Sequence, residues 1–243
     1  MNNQHRYDLR PLTGLRGLAA WLVVLYHVRT GMAGYAPEWL IALFAKGYLA
    51  VDLFFILSGF VMWLTYGERF ATSGLRYSSE FLVRRIARIW PLHAVILCGA
   101  IAFAIVLELT GRPNHANYPF AQLPLHFLLM QNWGFLDELT WNHPAWSIST
   151  EMGAYLLFPF IAALAPIKRM PVALLISIVV ILAALLHAFF RLSGYAFLGE
   201  NIPHTGLIRC LLQFTIGIAV CAIWLRWRTT EPIAKAGILL LIG

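Results

Sequence analysis

The sequence predicts an all-α membrane protein, a polytopic bundle of transmembrane helices. Of its 243 residues, 60% are apolar and only 12% are Asp, Glu, Lys or Arg, and the mean hydropathy is +0.72. An average soluble domain is about half apolar and about a quarter charged. Because so few charged side chains cannot cover a water-facing surface, the composition excludes a soluble enzyme, a disordered chain and a secreted disulfide scaffold.

Six apolar stretches reach the length of about 20 residues that a bilayer-spanning helix needs. They lie at roughly 12–32, 47–66, 89–109, 145–165, 171–190 and 205–225. A seventh begins near residue 233 and reaches Gly243 after eleven residues, too few to cross a core about 30 Å thick. We therefore expect one integral-membrane domain over residues 1–243 that is incomplete at its C-terminus.

The basic residues predict that the N-terminus is cytoplasmic. In that orientation thirteen Lys and Arg side chains fall in inner segments and five, Arg209 among them, in outer ones. Lys and Arg are retained on the cytoplasmic side of membranes, so the net charge of +7 needs no nucleic-acid partner. The three cysteines lie in apolar stretches without CxxC spacing and the histidines are scattered, which favours neither a metal site nor a bound cofactor.

The longest outer segment lies between the third and fourth predicted spans, at about 110–144. Its part 121–133 is apolar but too short to cross the membrane. This pattern predicts an interfacial or re-entrant helix, followed by tryptophans of the kind that collect at the headgroup level.

Two ionisable residues lie on one face of the first predicted span. Arg16 and His27 are eleven residues apart, which is close to three full helical turns. Arg16 is then near the inner surface and His27 in the outer part of the membrane. Ionisable residues within spans indicate function, although a snorkelling arginine and a core histidine bonded to a carbonyl oxygen would give the same pattern.

The second and fourth spans each carry one acid. Asp52 lies one to two turns below the outer surface, at about the predicted depth of His27, and a His27–Asp52 pair would offset the cost of burying the carboxylate. Glu151 lies about two turns in from the same surface, on a stripe with Ser147. Ser58 lies deeper, beside a glycine, where close helix packing is a better explanation than a nucleophile.

An arginine cluster lies at the predicted inner mouth of the third span. Arg85 and Arg88 are i, i+3 neighbours, and Arg84 and Arg88 are i, i+4. Like charges on one face repel unless an anion lies between them, and guanidinium forks suit phosphate. A plain anchor for lipid headgroups is the alternative interpretation.

Four motifs in this order resemble the acyltransferase 3 family of bacterial multi-pass membrane acyltransferases. They cover roughly residues 7–160 and are carried by LTGLRGLAA at 12–20 followed by His27, VDLFFILSGF at 51–60, FLVRRIARIWP at 81–91 and WSISTE at 146–151. Each motif alone is weakly specific, whereas four in series are specific.

The resemblance implies a role for each matching residue. His27 would be the essential residue of acyl transfer, acting either as general base or as acyl carrier, with Asp52 or Glu151 orienting it. The donor-binding set would be Arg16, Arg85 and Arg88, and the supporting set would be Ser58, Trp146 and Ser147.

The resemblance also implies an activity and a location. We expect a protein of the bacterial inner membrane that moves an acyl group, expected to be acetyl, from cytosolic acyl-CoA to a hydroxyl of a cell-surface or exported carbohydrate or glycolipid. Family members typically have about ten spans, and some carry a further soluble domain, so a separate periplasmic transferase is a possible partner. A proton-coupled transporter is the alternative, since buried ionisable groups also suit a proton relay.

Overall fold

The computed structural model describes the backbone of residues 10–242 and the side chains of residues 10–228. Its helices are α1 (Arg10–Val28), α2 (Glu38–Phe44), α3 (Leu49–Ser73), α4 (Ser78–Leu109), α5 (Leu123–Phe127), α6 (Trp146–Leu164), α7 (Val172–Leu192) and α8 (Ile202–Ile242). Short 3-10 turns join several of them, and the described residues form no β-strand. The predicted all-α class is confirmed.

Five segments are long and apolar enough to cross a membrane: Arg10–Met32, Glu38–Leu109, His143–Leu164, Val172–Leu192 and Ile202–Arg228. The second has 72 residues and contains both α3 and α4, which the turn Gly74–Tyr77 joins. Each predicted span therefore overlaps a helix, while the count of six crossings stays a prediction.

The predicted break between the sixth span and the start of a seventh is wrong. Helix α8 continues without interruption from Ile202 to Ile242, through Arg226 and Arg228. The segment 226–232 between the two apolar stretches is mostly polar, but polar side chains do not interrupt the backbone hydrogen bonds of a helix. A helix of 41 residues would be about 60 Å long, roughly twice the thickness of a bilayer core.

The core of the bundle lies between α3, α6 and α8. Gly59 of α3 and Gly217 of α8 allow these two helices to touch, since a Cβ atom on Gly59 would overlap the carbonyl oxygen of Phe214 and one on Gly217 that of Ile56. The expectation of close helix packing beside Ser58 is therefore met. Below this contact, an edge-to-face cluster of aromatic rings includes Phe70, Phe81, Phe158 and Phe214.

Helices α1 and α4 lie at the periphery, with apolar side chains on their outer faces. Ala19 is the one fully buried residue of α1, and α4 exposes Val83, Trp90, Leu92 and Val95. In a chain with this composition such faces suit lipid. His27 of α1 and Arg88 of α4 are accordingly exposed.

Several predicted inner basic residues gather at the C-terminal end of α3. Lys168 pairs with Glu68, Arg69 donates to the Tyr77 hydroxyl at 2.7 Å, and Arg226 donates to the carbonyl oxygen of Ile167 at 2.8 Å. The structure thus brings these residues to one end of the bundle. Which side of the membrane that end faces remains a prediction.

Candidate active site

One face of α3 carries a series of residues that contact polar or aromatic side chains of other helices. Asp52, Phe55, Ser58, Met62 and Tyr66 follow at steps of three or four residues, which places them on one face of a helix. From Asp52 to Tyr66 the rise is about 21 Å. The face therefore links two ends, which we call the Asp52 end and the Arg85 end.

At the Asp52 end, the carboxylate is held by two side chains of α8. Asp52 Oδ1 accepts from Arg209 Nε and from Gln213 Nε2, both at 2.6 Å. All three residues are buried, with Arg209 only 1% exposed. The second oxygen, Oδ2, is buried and has no hydrogen-bond partner among the described residues.

Arg209 also holds the surrounding chain. Its two terminal nitrogens donate to the carbonyl oxygens of Leu198, at 2.8 Å, and Tyr48, at 3.4 Å. The guanidinium carbon lies 5.6 Å from the ring centroid of Trp146, a cation–π distance. One buried cation thus ties the start of α3, the loop before α8 and the first residue of α6 together.

In the middle of the face, Glu151 of α6 is the centre of a three-residue cluster. Glu151 Oε1 accepts from the Ser58 hydroxyl and from Tyr155 Oη, the latter at 2.6 Å. Ser58 and Tyr155 are buried and their oxygens lie 3.4 Å apart. Ser147, predicted on the same stripe, instead donates to the carbonyl oxygen of Pro144 at 3.1 Å.

At the Arg85 end, α4 supplies arginines of different character. Arg85 donates to Tyr66 Oη at 2.7 Å, and its Nε is buried without a partner among the described residues. Arg88 is exposed and makes no hydrogen bond or ion pair with a described residue. Arg84 is also exposed but pairs with Glu80 at 2.8 Å. Arg88 and the Nε of Arg85 therefore have no hydrogen-bond partner among the described residues.

His27 lies apart from the acids. Its Nδ1 is 2.8 Å from the carbonyl oxygen of Val23, one turn earlier in α1, and its side chain is exposed. A carbonyl oxygen can only accept, so Nδ1 carries the hydrogen, and in the neutral ring Nε2 keeps its lone pair. The neighbouring Tyr26 ring packs edge-on at 5.2 Å.

The expected His27–Asp52 pair is not formed, because Asp52 binds Arg209 and Gln213 while His27 binds its own helix. The expected common depth of the two acids is also wrong. Glu151 lies beside Ser58, six residues along α3 from Asp52, a rise of about 9 Å. Depth counted from the ends of apolar stretches missed that offset.

Arg209 and Gln213 are the residues that the sequence interpretation overlooked. They stand four residues apart in an apolar stretch, a spacing that places both on one helix face. Arg209, which the topology count includes among the outer basic residues, is buried against Asp52 and is therefore more than a topology signal. Arg16 is partly buried in α1, and the described residues contain no His, Cys, Asp and Glu group able to hold a metal ion.

The model of the acyltransferase 3 family, described as an acyltransferase domain, matches residues 11–243. The chain belongs to the acyltransferase 3 family. The predicted family and enzyme class are thereby confirmed, and the match extends beyond the motif region, through α7 and α8. Together with its apolar helices, membership identifies the chain as a membrane acyltransferase.

Three curated relatives are similar to this acyltransferase 3 family member over most of its length. Protein 2 in the picA locus of Rhizobium radiobacter is 33% identical over 71% of this chain and 92% of its own length. Acyltransferase MdmB of Streptomyces mycarofaciens is 32% identical over 94% of this chain, which spans 61% of MdmB. O-acetyltransferase OatA of Staphylococcus aureus is 27% identical over 64% of this chain and 25% of OatA. No solved structure matches the chain.

Proposed function

We propose that this acyltransferase moves an acetyl group from cytosolic acetyl-CoA to a hydroxyl of a cell-surface or exported carbohydrate, in the bacterial inner membrane. The observation that carries the proposal is the order of groups along α3. Arg85 lies at one end, Glu151 lies in the middle, and a buried carboxylate lies at the other end. A donor from one side of a membrane and an acceptor from the other side would enter such a site at its two ends.

The Arg85 end suits the donor. Acyl-CoA carries several phosphate charges, and guanidinium groups bind phosphate through charge-assisted hydrogen bonds. Arg85 has a buried Nε without a described partner, and Arg88 is exposed one turn further along α4. In this proposal they hold the phosphates, Arg16 assists from α1, and the thioester points along α3 toward His27, whose neighbour Tyr26 packs on Tyr48 at the Asp52 end.

His27 suits the proton transfer. Its Nδ1–H is bonded to Val23, so Nε2 is the basic nitrogen. As general base, Nε2 takes the proton of the acceptor hydroxyl, whose oxygen attacks the thioester carbonyl. The carbon–sulfur bond breaks and the CoA thiolate receives the proton from the imidazolium. As acyl carrier, Nε2 attacks the thioester itself, the carbon–sulfur bond breaks and CoA leaves as the thiolate. The acceptor oxygen then attacks the acyl-imidazole, the carbon–nitrogen bond breaks, and the hydroxyl proton passes to the thiolate. A carbonyl oxygen, rather than Asp52 or Glu151, orients the ring in both routes.

The relatives support the acyl group and the acceptor atom. OatA is named an O-acetyltransferase and MdmB an acyltransferase, which favours acetyl transfer to oxygen. The lipid bilayer, the acyl-CoA donor and a carbohydrate or glycolipid acceptor are the partners that we propose, with a separate periplasmic transferase as a further possibility. No bound cofactor enters the proposed reaction.

The alternative of a proton-coupled transporter is less well supported. A proton relay needs carboxylates that exchange protons freely. Here Asp52 is held by Arg209 and Gln213, and Glu151 accepts two hydroxyl hydrogen bonds. The family is one of acyltransferases.

The proposal is tested with sealed membrane vesicles of defined orientation that contain the full chain. Radiolabelled acetyl-CoA is supplied to the cytosolic face, and alkali-labile acetyl groups are measured on envelope carbohydrate. We expect label on carbohydrate only when the donor meets that face. Equal transfer from both faces would contradict the topology. If no acetyl-CoA is consumed and the proton flux depends on substrate, the transporter is favoured instead.

A further inference from the structure

A small cavity lies between α6 and the segment that precedes it, at the Asp52 end of the bundle. Its lining is mostly polar and includes His126, Gln131, Glu138, Thr140, His143 and Trp146, together with two leucines. Its volume is about 10 Å³, which is room for one water-sized group. The cavity shares no residue with the Ser58–Glu151 cluster.

A chain of hydrogen bonds fixes what His126 presents. The hydroxyl of Thr140 donates its one hydrogen to Gln122 at 2.7 Å, so His126 Nε2, 3.0 Å away, donates to Thr140. The lone pair of the neutral ring is then on Nδ1, which is buried without a partner among the described residues. Burial, and secondarily the nearby His93, lowers the pKa of His126 to about 4, so the ring is a neutral acceptor near pH 7.

Gln131 presents a second acceptor. Its Nε2 donates to the carbonyl oxygen of Ala145 at 3.3 Å, while its Oε1 is buried and has no partner among the described residues. Both His126 and Gln131 are at least nine-tenths buried. A buried acceptor without a donor is costly, so this cavity suits a group that supplies hydrogens.

The other lining residues favour a neutral ligand over an anion. The carboxylate of Glu138 adds acceptors at the exposed rim, and Trp146 forms one wall. No Lys or Arg lines the cavity within the part of the chain that the structure describes. An anion would be repelled by Glu138 and would meet no cation. A neutral hydroxyl can donate to His126 or Gln131, and the Trp146 ring offers an apolar face.

The cavity lies far from the proposed donor site. Trp146 borders the cavity and also packs on Arg209, the partner of Asp52. Asp52 and Tyr66, the contact of Arg85, are about 21 Å apart along α3. The Arg85 end and this cavity are therefore at opposite ends of the same helix face.

We infer that this cavity anchors the acceptor carbohydrate by inserting one of its hydroxyl groups between His126, Gln131 and Glu138, with Trp146 against the sugar. The inference rests on the proposed function, because it assigns the binding of the second substrate. The single hydroxyl hydrogen is donated either to Nδ1 of His126 or to Oε1 of Gln131, the two buried acceptors without a partner among the described residues.

A labelling experiment tests binding without requiring catalysis. In a Cys98→Ser background, which removes the exposed native thiol, Leu139→Cys places a thiol at the cavity. Phe135→Cys is the matched control, exposed nearby but outside the lining. We expect methyl glucoside to slow maleimide labelling at position 139 by about 3-fold or more, and glucose 6-phosphate to protect less. Position 135 should react at the same rate throughout.

Charge-matched variants locate the protection. Glu138→Gln should raise the methyl glucoside concentration needed for half-protection about 3- to 10-fold, the effect of one hydrogen bond of ordinary net strength at an exposed rim. Asp137→Asn, which removes the neighbouring acid that binds His204, should not change it. Absence of protection, equal protection by the phosphate, or equal effects of the two variants would overturn the inference. Protection without any acetyl transfer from acetyl-CoA would overturn the proposed function and leave the cavity assignment standing.

Discussion

Arg209 donates through Nε to Asp52 Oδ1 at 2.6 Å, and both side chains are buried between α3 and α8. Breaking a buried ion pair by removing one partner leaves an uncompensated charge, which costs several kcal/mol. The pair also anchors Trp146 and two backbone carbonyl groups. It therefore stabilises the end of the bundle that we assign to the acceptor.

Arg209→Met should destabilise the protein by about 3–5 kcal/mol. A double variant, Arg209→Met with Asp52→Leu, removes both charges and should recover a large part of that loss. The thermal unfolding midpoint is measured on detergent-purified protein, with size-exclusion chromatography used to quantify the folded protein that remains after heating. Additive destabilisation in the double variant would show that the two charges do not compensate one another.

The fold and the arginine end could be predicted from sequence, whereas the pairing at the Asp52 end could not. Apolar length identifies helices, because a helix must satisfy its backbone in lipid. The i, i+3 spacing of Arg85 and Arg88 can be read directly from the sequence, because both residues lie within one helical turn. The partner of Asp52 depends on how α3 and α8 cross, which is set by their close contact at Gly59 and Gly217. The resulting pair, Asp52 and Arg209, is 157 positions apart in the sequence.

His27→Ala should reduce acetyl transfer by at least about 100-fold, since general acid–base groups contribute about 10²- to 10⁴-fold. The variant should still insert and unfold at the normal temperature, because the His27 side chain is exposed and binds only its own helix. His187→Ala, another exposed helical histidine, is the matched control. Transfer is measured with radiolabelled acetyl-CoA, and normal transfer by the His27 variant would exclude the catalytic assignment.

Arg88→Gln should raise the KM for acetyl-CoA by about 10- to 100-fold, the loss of a charge-assisted hydrogen bond. The KM for the acceptor should stay unchanged, because the Asp52 end is remote. Arg84→Gln is the control, since Arg84 is exposed on the same helix but already pairs with Glu80. If the two variants behave alike, or if only the acceptor KM rises, Arg88 does not bind donor phosphate.

His126 should make stability depend on pH between about 6.5 and 4. Its pKa in the folded protein is lowered to about 4, below the ordinary value of about 6.5. The unfolded chain therefore takes up a proton first as the pH falls, and stability present above pH 6.5 is lost down to about pH 4. Unfolding midpoints measured across this range should fall less steeply in His126→Gln than in His143→Gln, an exposed control. Parallel curves would contradict the assignment.

Gly59→Ala should separate α3 from α8. A Cβ atom at this position would overlap the carbonyl oxygen of Phe214, and backbone cannot move aside as a flexible side chain can. We expect a loss of at least about 1–3 kcal/mol, typical of overpacking. Gly99→Ala, on the exposed face of α4 with nothing within 4 Å of the added atom, should be neutral or stabilising by up to about 1 kcal/mol.

The same pair of variants should differ in activity. Because Ser58 adjoins Gly59, the hydrogen bond from Ser58 to Glu151 should also be lost in Gly59→Ala. Acetyl transfer should therefore fall in Gly59→Ala and persist in Gly99→Ala. Equal unfolding midpoints in the two variants would mean that α3 and α8 are not in contact at this glycine.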